Sequence, residues 1–226
     1  MASLFKVIMQ IFYPLRCLEC KNEIEKGILC SKCRRRYEDF RWYKFDEFSD
    51  GLDAACAIYR YNGAIKKAFH NLKYWKKSTL LKPMSEEIIA DFENIPGAWD
   101  FKNYIGDYRN VIVMPIPTDS KRRKERGYDI PERLFKPWSK KYNYHWQVGI
   151  LRNRSTKPQF GMNQEERMKN VFGCFSVKNK FNAKTIVLVD DIFTTGSTMR
   201  EAARILKING AKRVIAFTYA SEASLR

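Results

Sequence analysis

Apolar positions along the chain fall into short runs and helical stripes, with no single long span. Ile186 to Val189 is β-branched or aliphatic throughout, which suits a strand buried on both faces of a parallel sheet. Residues 54–59, 111–114 and 213–218 predict further strands, and 146–151 reads as another. Ile65, Ala68, Phe69 and Leu72 mark one helix face, and Leu81, Met84, Ile88 and Phe92 mark a second within 78–92. Residues 129–142 predict a third helix, and Met199, Ala202, Ala203 and Leu206 a fourth that Gly210 caps. Tyr61-Asn62-Gly63 reads as a turn, Pro96-Gly97 and 103–110 as loop, and 152–170 as a long, polar, mobile segment of the kind that forms a lid. Strands alternating with helices predict an α/β fold with a parallel sheet flanked by helices.

Near the N-terminus Leu4, Ile8, Ile11, Phe12 and Leu15 fit one face of a short helix, packed on the domain or docked on a membrane surface. The stretch 4–15 is too short to span a bilayer and contains Lys6 and Gln10; no small-residue cleavage site follows it. The expectation is therefore no transmembrane segment and a cytoplasmic location, with membrane association through partners. The 226 residues, 45% of them apolar, suffice for one α/β domain with an appendage. The expected division is 1–45 for an N-terminal helix and metal module, and 46–226 for the α/β domain. No repeat or low-complexity tract is visible. Forty-two Lys and Arg against 25 Asp and Glu give a net charge of +17, a field that attracts pyrophosphate, nucleotides or nucleic acid without choosing among them.

The densest chemistry lies at 185–199, where the apolar run meets Asp190 and Asp191 and then Thr194, Thr195, Gly196, Ser197 and Thr198 at the start of a helix. Small residues let backbone N–H groups close around an anion, and the helix N-terminus favours a phosphate. The two carboxylates would repel that phosphate, so they must face hydroxyls or Mg²⁺. A plain turn with a helix cap is the alternative use of such a pair.

Four of the six cysteines form Cys17-x2-Cys20 and Cys30-x2-Cys33. Two such knuckles in a short polar segment have the spacing of a tetrahedral zinc site with four thiolates. Four protein ligands leave no open position, so the metal is expected to be structural and to contribute folding free energy directly. Disulfides are the competing use, but nothing marks the chain as secreted. Cys56 and Cys174 stand alone in apolar or small-residue surroundings, as buried thiols do.

Two basic segments are candidate anion contacts. Lys121, Arg122 and Arg126 belong to a basic loop after the 111–114 strand, where a pyrophosphate could bind at the carboxyl ends of the strands; a solvated face is the alternative. Lys73, Tyr74, Trp75, Lys76 and Lys77 combine aromatic rings with positive charge, a composition suited to single-stranded nucleic acid. Tyr74 and Trp75 serve equally well as core or interface residues.

Strand, acidic pair, phosphate loop and helix together resemble the PRPP-binding motif of type I phosphoribosyltransferases. Across the chain, Phe12-Tyr13-Pro14 before Cys17 and Cys20, Tyr61-Asn62-Gly63, Leu72-Lys73-Tyr74, Pro115-Ile116-Pro117, Arg126-Gly127-Tyr128, Ser155-Thr156-Lys157-Pro158-Gln159 and Val189-Asp190-Asp191 resemble the ComF (competence protein F) family. Asp129 departs from the pattern, which usually shows Asn there. The resemblance implies a type I phosphoribosyltransferase-like sheet with a zinc module, Asp190 and Asp191 on the ribose hydroxyls of Mg-PRPP, and 194–198 on its 5′-phosphate. It also implies handling of single-stranded DNA in natural transformation beside a helicase-like partner. Thr194 stands where several enzymes of 6-oxopurines carry an acid, which argues against a hypoxanthine or guanine enzyme. Three roles remain open: a PRPP-binding DNA-handling protein, an active phosphoribosyltransferase with an unassigned nucleophile and base, and a PRPP sensor controlling a partner.

Overall fold

A computed structural model describes residues 14–45, 51–95, 97–157, 161–182 and 184–222. The helix expected over 4–15 lies outside them except for its last residues, as do Pro96, Pro158 and Gln159.

The elements run α1 (Ser31–Arg34), β1 (Glu38–Lys44), β2 (Ala54–Arg60), α2 (Gly63–Tyr74), α3 (Leu81–Asn94), α4 (Ala98–Ile105), β3 (Val111–Pro115), α5 (Ser120–Arg126) and α6 (Ile130–Lys141). There follow β4 (His145–Trp146), β5 (Ile150–Arg152), α7 (Gln164–Val171), β6 (Phe175–Val177), β7 (Thr185–Phe193), α8 (Ser197–Ile208) and β8 (Arg213–Ser221). The main sheet has the order β1-β2-β8-β7-β3-β4. All its neighbours are parallel except β1, which runs antiparallel along β2.

Alternate residues of the central strands face opposite layers. Val187, Val189, Ile215 and Phe217 join a core with residues of α2, α3 and α6, including Phe69, Met84, Phe135 and Trp138. Ile186, Leu188, Val214 and Ala216 pack instead with Met199, Ala202, Ala203 and Leu206 of α8. Such two-sided burial explains why β7 begins as an unbroken apolar run.

Several local expectations need correction. The basic run at 121–126 is helical: Asp119 accepts the N–H groups of Lys121 and Arg122, and Gly127 closes the helix in a left-handed conformation. Part of the expected 103–110 loop belongs to α4, which buries Ala98, Phe101 and Ile105 between Gly97 and Gly106, both at positive φ. The expected 146–151 strand divides, β4 joining the main sheet and β5 pairing with β6. Within 152–170, Arg152 donates to the Pro117 carbonyl at 3.1 Å and to Thr156 Oγ1 at 3.0 Å. Lys157 and Asn170 exchange two hydrogen bonds, and α7 starts with a capping box between Asn163 and Glu166. These bonds hold much of the segment that reads as mobile.

The cysteine segment is built into the same core. Cys17, Ile28, Leu29, Cys33 and Tyr37 pack with residues of β2, α2 and α3. Glu87 of α3 accepts the Ile28 N–H at 2.8 Å and the Tyr219 hydroxyl at 2.6 Å, while Asp91 takes the Tyr59 hydroxyl and Arg34. Gly27, at φ +78°, is required here: a Cβ would stand 2.3 Å from Glu87 Oε1.

Candidate functional site

Parallel pairing brings the carboxyl ends of β3 and β7 side by side, with Pro115 opposite Val189. Asp190 and Asp191 occupy the last turns of the pleat in β7, past its fully buried part. Asp190 Oδ1 accepts the Asp191 N–H at 2.8 Å. Removal from water, followed by the adjacent Asp191 carboxylate, pushes the Asp190 carboxyl well above the ordinary range. Asp191 Oδ2 instead meets Lys73 Nζ at 2.7 Å. Burial alone would discharge that lysine, but Asp191 and then Asp190 more than compensate and raise its pKa.

The chain then turns through 194–198. Gly196 adopts φ +76°, and a Cβ there would lie 2.5 Å from the Phe193 ring. Only glycine combines that backbone with so close an aromatic neighbour. Thr195 Oγ1 and Ser197 Oγ lie 2.8 Å apart, Thr195 Oγ1 is 3.5 Å from the Ser197 N–H that donates to it, and the N-cap residue Gly196 has no side chain to cap α8. Ser197 and Met199 are buried, with Thr194, Thr195 and Thr198 partly exposed. A helix start with glycine at its cap, beneath a hydroxyl-lined turn, suits an anion, beside carboxylates suited to hydroxyl donors.

Lys121 and Arg122 are exposed on the first turn of α5. Arg126, at its end, is half-buried; its guanidinium stands 5.6 Å from the centroid of the Tyr128 ring, and its Nε is enclosed without a hydrogen-bond partner. Tyr128 donates its hydroxyl to the Leu72 carbonyl at 2.7 Å, tying this corner to the last turn of α2. Asp129 caps α6 by accepting the Glu132 N–H at 3.1 Å, and its charge reaches Asp190.

Of the five residues grouped as a nucleic-acid patch, Tyr74, Trp75, Lys76 and Lys77 are exposed, with Tyr74 at 72% and Trp75 at 69%. Lys73 turns the other way, into the acidic pair. Sequence spacing carries no signal for that contact, which joins distant parts of the chain. Two recesses of about 540 and 360 Å³, lined by Lys178, Lys180, Lys184 and Lys212 among others, lie at the opposite, amino ends of the strands. Neither touches the acidic pair or the 194–198 turn, and the topology of parallel sheets favours the carboxyl ends.

In the metal module the four candidate ligand atoms of Cys17, Cys20, Cys30 and Cys33 lie within 4.8 Å of one another, with Cys20 and Cys30 Sγ 3.7 Å apart. A tetrahedron with Zn–S near 2.3 Å has edges of about 3.8 Å, so the cluster fits a single zinc ion. Burial raises the Cys17 thiol, but the N–H groups of Cys30, Cys20 and Glu19 outweigh it and bring it down to about 6. Burial and then the Cys30 thiol push Cys33 up to about 12. Cys56 and Cys174 are buried in the first and second cores respectively, and neither belongs to the four-cysteine cluster.

Comparison with known proteins agrees with this geometry. Residues 144–226 match the phosphoribosyl transferase domain family. The chain is thus an α/β protein whose C-terminal part is similar to phosphoribosyl transferase domains and whose N-terminal part carries a four-cysteine cluster. It is similar to Competence protein F of Haemophilus influenzae, 22% identical over 91% of this chain and 96% of that protein. The DNA utilization protein YhgH of Escherichia coli K12 is 24% identical over 68% of this chain, and the match spans just under two thirds, 66%, of the relative's length. The phosphoribosylpyrophosphate synthetase of Mycobacterium smegmatis is 20% identical in the superposed region, covering 59% of this chain and 34% of that one with a TM-score of 0.35. So low a score adds nothing to the topology. Competence protein ComFC of Bacillus subtilis is 23% identical over 89% of this chain and 82% of that protein.

Proposed function

We propose that this chain binds Mg-PRPP at the carboxyl end of β7 and uses that ligand in handling single-stranded DNA during natural transformation. The observation that carries the ligand is the acidic pair at Asp190 and Asp191 beside the glycine-capped start of α8. In this reading 194–198 takes the 5′-phosphate through backbone N–H groups and hydroxyls, and the carboxylates accept the ribose hydroxyls. The carboxylates are also suitable donors for Mg²⁺, which would neutralise the diphosphate. Arg126 has an unused donor for that diphosphate, with Lys121 and Arg122 further along the same helix.

The DNA role draws on the names of the similar competence and DNA utilization proteins, on the net charge of +17, and on the exposed Tyr74 and Trp75 beside Lys76 and Lys77. A helicase-like protein is the expected partner. Titration calorimetry with Mg-PRPP tests the ligand, and absence of binding refutes it. Single-strand binding that fails to weaken as salt rises refutes the DNA role.

A second reading, an active phosphoribosyltransferase, is favoured by the unfilled Arg126 donor on the side where pyrophosphate would leave. Charge stabilisation of the leaving group and exclusion of water would supply the rate. Pyrophosphate release with a panel of nucleobases and amines separates the two readings: release supports the enzyme, and binding without release supports the DNA-handling protein.

A further inference from the structure

Lys73 already occupies the place that a ribose hydroxyl would need. Its Nζ stands 2.7 Å from Asp191 Oδ2, the two side chains being only 33% and 13% exposed, and lies 5.8 Å from the Phe69 ring centroid. A ligand offering hydroxyls alone would have to break an enclosed ion pair and leave the ammonium without its partner, which is strongly unfavourable. A ligand that brings its own anion to the same corner supplies a replacement.

The corner is arranged for such an exchange. Tyr128 holds the carbonyl of Leu72, the residue before Lys73, and the same ring lies under the Arg126 guanidinium, whose Nε is buried without a partner. One tyrosine therefore links the turn that carries Lys73 to the cation with an unfilled donor. Like Lys73, Arg126 has donors only and no acceptor.

We propose that Lys73 is an exchangeable lock on the ribose carboxylate, released only by a ligand that carries both a vicinal diol and an adjacent diphosphate. The proposal rests on the PRPP reading of this site and adds a specificity device to it. Without the ligand the ammonium neutralises Asp191. When a sugar 1-diphosphate enters, its hydroxyls take Asp191 and its diphosphate takes Lys73 together with Arg126. Ribose 5-phosphate satisfies the carboxylates but offers no anion to the displaced lysine, so it binds poorly although it fits the phosphate turn.

The test is calorimetric titration of the full zinc-loaded chain, in Mg²⁺, with PRPP and separately with ribose 5-phosphate. Wild type should prefer PRPP. Lys73→Ala should lose about 10- to 100-fold in PRPP affinity, the scale of one charge-assisted contact, while ribose 5-phosphate binds as well or better because Asp191 is no longer occupied. Lys73→Arg should retain the preference. Unchanged melting temperature and zinc content establish that the variants are folded. Equal weakening of both ligands in Lys73→Ala would mean that Lys73 only positions Asp191 and would overturn the lock, as would no change for either. Wild type that binds neither ligand would overturn the PRPP reading itself, an outcome distinct from a wild type that binds both without preference.

Discussion

Two acidic pairs sit in enclosed places, Glu87 with Asp91 on α3 and Asp190 with Asp191 at the end of β7, and their surroundings differ. Burial pushes both Glu87 and Asp190 upward in pKa. After burial, what acts most on Glu87 is the Tyr219 hydroxyl and the Ile28 N–H, which stabilise its charge; on Asp190 it is another carboxylate, which does the reverse. A buried carboxylate supplied with donors is a fastener, because removing it strands those donors. One placed against a like charge, with the Lys73 ammonium paired to its neighbour, is kept available for something else.

The largest test of the fastener is removal of the zinc ion that the four-cysteine cluster fits. Zinc bound by four thiolates contributes on the order of 10 kcal/mol in small metal modules. Elemental analysis should find one zinc per chain. Chelation should unfold residues 17–33 and raise amide exchange in α3 as well, because Glu87 and Asp91 join the two. Exchange confined to 17–33 would show that the pair does not transmit the loss. Next in size, Glu87→Ala should destabilise the chain by about 3 kcal/mol, the cost of leaving buried donors unsatisfied, read as a shift in the denaturant midpoint at constant slope.

The other pair should respond in the opposite sense. Asp190→Asn alone removes the carboxyl that burial and Asp191 disfavour and should leave the melting temperature unchanged or raised, while Asp190→Asn with Asp191→Asn should abolish Mg-PRPP binding in calorimetry. Retained affinity would show that the ligand lies elsewhere. Gly196→Ala is a smaller perturbation: positive φ and contact with Phe193 should cost about 1–2 kcal/mol and weaken the phosphate turn, with the metal module unaffected.

The asymmetry between the pairs also explains how much was legible in sequence. The β7 run, the acidic pair and the 194–198 turn follow one another, so local pattern placed the strand, the turn and α8 correctly. Lys73 was read with its chain neighbours Tyr74 and Trp75, whereas its partner Asp191 is brought to it only by the parallel pairing of β2, β8 and β7. Glu87 and Asp91 carry no signal in sequence because their donors arrive from β2, β8 and the cysteine segment. β1 escaped notice for another reason: all its residues but the last are half-buried, so no alternation marks it. α4 is short and bounded by glycines, which resembles loop composition.

The finest discrimination between the pairs is by pH. Asp190 has a folded pKa raised above its unfolded value, so its contribution to stability is fully present below the ordinary carboxylate range and is lost as pH rises through the raised value. The Asp191 and Asp129 carboxylates oppose its ionised form, while the Asp191 N–H and the Lys73 ammonium favour it. Ligand binding has the opposite dependence, because ribose hydroxyls and Mg²⁺ both prefer the carboxylate. Mg-PRPP affinity should therefore rise across the same interval in which the empty protein loses stability. The single variant Asp190→Asn, neutral at every pH, should flatten the stability curve there and remove the rise in whatever affinity remains. Melting curves and titrations over a common pH series make the comparison, and a wild-type affinity that stays level while stability falls would show that Asp190 does not touch the ligand.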